Sequence, residues 1–273
     1  HYVDAVVALA LQRGIQVIVP TVDEELIPLA RARRRLRRCG VELLCAGVDA
    51  LSICLDKQAL IERCRGRVPV PRSEVYDESF DAERWDWSSA LMVKPRRGRG
   101  SRGIQRIERP EELAALPRDG SLLLQELLPG EEYSVDVFVN ARGDVEAAVP
   151  RQRQRVRSGV AVVSRTLFDV ELQQIASHIA RLAGIVGVCN VQLKRDVRGR
   201  PALLEVNPRF PGTMSLTVAA GVNMPALALQ TALGHTPTIS GCFREVVMVR
   251  HLEERFASPQ AVSELMQRGS HRY

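Results

Sequence analysis

No apolar run in this sequence approaches the roughly 20 residues that a helix needs to cross a bilayer, which argues against a helical membrane protein. His1–Ala10 lacks the basic region and cleavage site of a signal peptide, so a cytoplasmic location is expected. No Cys-x-x-Cys pair occurs among the six cysteines. They are scattered, and several lie in apolar segments, so they read as buried thiols in a reducing compartment, not as a zinc site or disulfide frame. Aromatic residues are only 4% of the chain while 45% is hydrophobic, which makes the core an aliphatic one. No Gly-Lys-Ser/Thr follows a glycine-rich stretch, and the glycine spacing does not suit a dinucleotide-binding turn.

Positive charge is present in excess. The net charge is +6, supplied mostly by arginine, and the densest run is Arg31, Arg33, Arg34, Arg35, Arg37 and Arg38. A nucleic-acid patch would need aromatic residues between the cations for stacking, and the run has none. A solvated helix face explains it, and nucleic acid is not an expected partner.

With 273 residues, the chain suits two compact domains or one large one. The spacing predicts a helix over Val3–Arg13, a strand over Ile15–Val19, a helix from about Thr21 to Cys39 capped by Thr21 or Asp23, and a strand over Val41–Ala46. That order implies a parallel sheet with covering helices, and an earlier strand is expected ahead of His1. A helix over Leu55–Arg65 follows, opened by Asp56, and then the extended linker Val68–Pro71. Strands are expected at Leu91–Pro95 and Ser121–Leu127, a hairpin at Tyr133–Asn140 and Asp144–Val149, and helices at Leu167–Ala183 and Thr217–Leu233.

Three segments point to chemistry. In the first, two short strands, Val188–Leu193 and Leu203–Asn207, place Gln192, Glu205 and Asn207 among apolar residues, with Arg209 just beyond. Alternation puts Glu205, Asn207 and Arg209 on one face. One carboxylate and two amides form a hard-oxygen set suited to Mg²⁺, and an arginine beside them suits a phosphate. A solvated edge strand ending in an Asn-Pro turn is the alternative. The second segment is the loop Gly98–Gly103, which holds three glycines and Ser101 after a strand ending Val93–Lys94–Pro95. Its amides can approach an anion closely, with Lys94 as a point charge, although a surface turn would also explain it. In the third, Gln125–Tyr133, the strand runs into a Pro129–Gly130 turn with Glu126 and Glu132 at its ends. It could present hydrogen-bonding groups to an adenine edge and ribose hydroxyls, or serve as a charged hinge.

Taken in order, Asp56–Lys57, Val93–Pro95, Gly98–Gly103, Gln125–Glu126 with Pro129–Tyr133, Asn190–Gln192 and Glu205–Arg209 resemble an ATP-grasp enzyme. The likeness spans about residues 52 to 235 and is similar to the carbamoyl phosphate synthase large chain and to ATP-dependent carboxylate–amine ligases. It implies an α/β fold: a partial parallel-sheet α/β domain over 1–54, then an ATP-grasp domain over 55–273. The small lobe would cover about 70–130 and the large catalytic lobe about 131–273. The resemblance also assigns roles. Lys57 and Lys94 would contact ATP phosphates, and Gly98, Gly100, Ser101 and Gly103 would close over them. Glu126 and the backbone at Leu128 would hold adenine, and Glu132 the ribose. Gln192, Glu205 and Asn207 would bind one or two Mg²⁺ ions, with Mn²⁺ as an alternative. Asn207 and Arg209 would act in catalysis, Arg209 on the transferred phosphoryl group. Many family members carry a second carboxylate at the position of Gln192, and a neutral amide weakens one metal position.

The implied reaction activates a small carboxylic acid as an acyl phosphate for attack by an amine, without a covalent enzyme intermediate. ATP, the acid and the amine are the expected partners, and a homodimer is allowed. Carboxyphosphate chemistry like that of carbamoyl phosphate synthase and a non-catalytic ATP-binding regulatory module are the alternatives. At the substrate end, Arg151, Arg153, Arg155 and Arg157 alternate and would share one face if extended. Arg151 and Arg157 are therefore candidates for holding a carboxylate or acyl phosphate, and an exposed loop is the competing reading.

Overall fold

The computed structural model describes all residues except 99, 101, 238–241, 252, 255 and 271–273. The chain opens with α1 (Tyr2–Gln12), β1 (Val17–Ile18), α2 (Asp23–Arg31), α3 (Arg33–Arg38), β2 (Glu42–Leu43), α4 (Val48–Cys54) and α5 (Lys57–Cys64). β1 and β2 pair in parallel, as the β–α–β order requires. The helix expected from Thr21 to Cys39 is two helices meeting at Ala32. Its cap is neither Thr21 nor Asp23: the Glu25 carboxylate reaches back to accept the amides of Thr21 and Val22 at 2.8 and 2.9 Å. Asp56 caps α5 by accepting from the Gln58 and Ala59 amides.

Two antiparallel sheets follow. β3 (Ser73–Tyr76), β4 (Leu91–Pro95), β5 (Gln105–Ile107) and β6 (Leu122–Glu126) form the smaller one, in the order β3-β6-β4-β5. β7 (Glu132–Val139), β8 (Val145–Arg157) and β9 (Val160–Thr166) belong to the larger. After α6 (Val170–Leu182) it gains β10 (Gly187–Arg195) and β11 (Pro201–Asn207), and after α7 (Met214–Ala219) and α8 (Met224–Ala232) it gains β12 (Val247–Val249). Its order is β11-β10-β7-β8-β9-β12. α9 (Pro259–Ser270) ends the described chain.

The single helix expected over Thr217–Leu233 is instead α7 and α8. Gly221 takes a φ of 115° between them, and Asn223 caps α8 through the Ala226 amide. The main core fuses the two parts of the chain. Leu26, Leu51 and Leu60 from the helical start pack with Val135, Val137, Cys189 and Val191 of the large sheet and with Leu172 and Ile179 of α6. Aliphatic side chains dominate it, and the aromatic residues Tyr76, Phe80 and Trp85 cluster instead against the smaller sheet. Among the described residues no helix is long and apolar enough to cross a membrane.

Candidate active site

β10 and β11 pair with Gln192 opposite Glu205 and Asn190 opposite Asn207. The register thus stacks the oxygen donors side by side at the edge of the large sheet. The Asn207 amide donates to the Glu205 carboxylate at 3.0 Å, which leaves the Asn207 oxygen as an acceptor. Across from them, α5 and β4 deliver Lys57 and Lys94, both under 10% exposed. Lys94 donates to the Gln125 oxygen at 2.7 Å, and Gln125 is itself held by Ser73. Lys57 donates to the Gly98 carbonyl at 2.9 Å, tying the glycine loop down over α5.

These groups surround a cavity of about 320 Å³ between the two sheets. Lys57, Lys94, Gly100, Glu132, Gln192, Glu205, Asn207 and Arg209 all line it. Burial pushes Lys94 down to about 8, and the Lys57 ammonium pushes the same way against the opposing pull of Glu205. Burial also lowers Lys57, opposed by Glu205, Asp23 and Asp56. Two buried cations with few counter-charges form a site that an anion would stabilise.

The loop between β4 and β5 is shaped by its glycines. Gly103 has a φ of 71°, and a Cβ there would stand 3.1 Å from Pro95 Cγ, so a side chain would strain the loop and crowd the strand end. Gly98 borders an adjoining cavity of about 520 Å³. Ser101 lies outside the described residues. Asp56 anchors the loop base through Arg96 at 2.8 Å and Arg97 at 3.4 Å. Burial works to raise the Asp56 carboxyl, but the Arg96 bond and the α5 amides hold it below its ordinary value.

Several predicted residues sit elsewhere. Neither Glu126 nor Leu128 lines the 320 Å³ cavity. The Glu126 carboxylate is taken by the Arg72 amide at 3.0 Å, and Leu128 is buried. The four arginines of β8 do not form one continuous face: the register is unbroken from Arg151 to Arg153, but shifts fall between Arg153 and Arg155 and between Arg155 and Val156. Arg151 is not at a substrate surface. It is fully buried, paired to Asp136 at 2.7 Å and bonded to the Thr213 hydroxyl at 2.6 Å. Arg157 is exposed at the end of β8 and does not line the cavity. Arg153, another of the four alternating arginines, does reach the cavity, with a nitrogen 2.9 Å from the Glu132 carboxylate. Unselected from sequence was Asp136, which gathers Arg151, Asn190 and Thr217 beneath the site. A lone acid inside the apolar run Tyr133–Val139 was the available signal. Arg209 is ion-paired to Asp23 at the start of α2.

The family described as ATP-grasp in the biosynthetic pathway with Ter operon matches residues 118–255, just over half of the chain. The chain belongs to the ATP-grasp family. Its match covers β6 to β12 and so includes Gln192, Glu205, Asn207 and Arg209. The carbamoyl phosphate synthase large chain of Kocuria rhizophila is 27% identical over 231 residues, 75% of this chain and 21% of that protein. The D-alanine–D-alanine ligase of Alkalilimnicola ehrlichii is 28% identical over 195 residues, 65% of this chain and 62% of that protein. Among solved structures, a biotin carboxylase–β,γ-ATP complex from Campylobacter jejuni shares the fold. Its TM-score is 0.76 at 15% identity, covering 89% of this chain and 61% of that one. This ATP-grasp chain therefore spans about a fifth of the synthase relative and under two thirds of the ligase relative.

Proposed function

We propose that this ATP-grasp protein is an ADP-forming ligase that activates a small carboxylic acid as an acyl phosphate for attack by an amine. The observation that carries this reading is the convergence of Lys57, Lys94 and Arg209 with Glu205, Asn207 and Gln192 around one cavity between two sheets. Lys57 and Lys94, buried and held by Gly98 and Gln125, bind and orient the phosphates. Gly100 and the tethered loop cover the phosphates and exclude water. Glu132, fixed by Arg153, takes the ribose side, and Leu204 supplies an apolar wall.

The donor set fits a divalent ion. Among the described residues no three His, Cys, Asp or Glu side chains converge for a metal. One carboxylate with two amide oxygens still suits Mg²⁺, which binds through few protein groups plus substrate phosphates and retains water. Glu205, Asn207 and Gln192 would hold it, and when bound it neutralises phosphate charge. The acid's carboxylate oxygen bonds to the γ-phosphorus as the bond to ADP breaks. Arg209 stabilises the charge on the transferring group. The amine then displaces phosphate from the acyl carbon.

The test is an ADP-release screen over acids and amines with Mg²⁺. Acid-dependent ADP release that is lost in Glu205→Ala supports the ligase. Tight ATP binding with no ADP from any mixture would refute it and favour a nucleotide-binding regulatory module.

A further inference from the structure

Behind Arg209 lies a second cavity, of about 280 Å³, which the phosphate chemistry does not use. Of the described residues lining it, Arg209 alone also lines the cavity at Glu205 and Asn207. Part of its wall is apolar: Leu43 of β2 and Leu44 after it, Phe138 and Val188 where β7 and β10 adjoin, Phe210, and Ala228 of α8. Its charged lining is three guanidiniums, Arg33, Arg37 and Arg209, against the single carboxylate of Glu42. Arg37 is satisfied by Glu42 at 3.1 Å. Among the described residues Arg33 bonds to carbonyls and a thiol, those of Leu43, Cys45 and Ala46. Arg209 engages Asp23 through Nε, and among the described residues its terminal Nη groups make no hydrogen bond.

We propose that this cavity holds the tail of the acid that is activated. The acid is a small monocarboxylate with a branched or cyclic apolar tail, lacking an α-ammonium group, and its carboxylate lies on the Nη groups of Arg209. The proposal rests on the ligase reading above. The apolar walls reward a hydrocarbon tail. The surplus of guanidinium charge attracts the carboxylate and repels an ammonium. A single water needs only about 10–15 Å³ of such space, so the cavity readily admits a hydrocarbon tail of several carbons. From that seat one carboxylate oxygen faces the phosphate cavity. It forms the C–O–P bond as the bridging oxygen leaves with ADP, with no proton or redox partner required.

The test uses the full chain, isothermal titration calorimetry and four probes: acetate, 3-methylbutanoate, 3-methylbutanamide and valine. Binding of 3-methylbutanoate about tenfold or more tighter than acetate is expected, from burial of its added carbons. The amide and valine are expected to bind at least tenfold more weakly than 3-methylbutanoate. Ala232→Phe, on the α8 wall, is expected to erase the preference over acetate while leaving MgATP affinity within about twofold. Thr231→Trp is the second filling variant should the first not fold. Equal binding of acetate and 3-methylbutanoate, tight binding of valine, or an unchanged preference in the filled variant overturns the proposal. ADP release supported by other acids but not by 3-methylbutanoate also overturns it while leaving the ligase reading standing. The predicted binding pattern without ADP release under any amine keeps the site and removes the ligase reading.

Discussion

Asp23 and Arg209 stand 186 residues apart in sequence and form an ion pair between Oδ1 and Nε at the edge of the cavity that Glu205 and Asn207 line. Both side chains are about 15% exposed, so the pair is shielded from solvent more than most surface bridges. It ties the first residue of α2 to the second residue beyond β11. The helical start of the chain thereby sets the direction of the Arg209 guanidinium.

Asp23→Asn keeps the shape and removes the charge. ADP release is expected to fall about 10- to 100-fold in kcat, as loss of orientation does, with the KM for ATP little changed. Lys57 should also drop further from its ordinary value, because Asp23 is one of the acids that raise it. Steady-state kinetics on the two proteins, with thermal melts as a folding control, decide the matter. An unaltered kcat would show that Asp23 does not position Arg209.

Lys94 links stability to pH. Its ordinary value of 10.5 is pushed to about 8 in the folded protein. The unfolded chain therefore binds more protons between those values, and the unliganded protein gains stability as pH rises from about 8 toward 10.5. Below pH 8 the full penalty persists, on the order of 3 kcal/mol. Lys94→Met is expected to raise the melting temperature at pH 7 and to abolish MgATP binding. In the native protein, MgATP affinity should weaken by up to about tenfold between pH 7 and pH 9, because the ammonium form becomes scarce. Calorimetric titrations at the two pH values check this.

Gln192 faces Glu205 across the β10–β11 ladder. Gln192→Glu places a second carboxylate beside the first and is expected to lower the Mg²⁺ concentration for half-maximal ATP binding by about tenfold, since hard-cation affinity follows ligand charge. Glu205→Gln should raise it by more than that. A Mg²⁺ titration at fixed ATP distinguishes these outcomes from a metal held by phosphates alone, for which neither substitution would shift the midpoint.

Arg151 and Arg157 lie on one strand and should behave oppositely. Arg151→Met leaves the Asp136 carboxylate buried without a cation and is expected to cost about 3–5 kcal/mol in chemical denaturation. Arg157→Ala, exposed at the strand end, should change stability by about 0.5 kcal/mol or less. A large loss at Arg157 with none at Arg151 would mean that the interior pair is not structural.

The pairing of Gln192 with Glu205 on adjoining strands was legible because its signal is local. Glu205 and Asn207 interrupt an apolar alternation, and Gln192 does the same on the strand before it. The glycine loop and Lys94 were legible for the same reason, through glycine's tolerance of positive φ beside a strand end. The joined helix over Thr217–Leu233 was misread because apolar spacing runs across Gly221 and Asn223, where backbone conformation and capping end one helix and begin another. The arginine face of β8 failed at two bulges. A side-chain period of two survives only while register is unbroken.

The amino-acid sequence by itself determined many of the element types, the aliphatic core, the order of the glycine-loop and Glu205–Arg209 motifs, and through them the ATP-grasp resemblance. Each depends on neighbours within a few residues. Only the tertiary structure decided which arginine is buried beneath Asp136, which is held by Asp23, and which lies exposed. It also decided that Arg209 lines two cavities, one shared with Glu205 and Asn207 and one with Leu43 and Phe138. Those outcomes depend on packing between segments up to 186 residues apart, where burial sets the cost of each charge and the partner supplied by another segment offsets it.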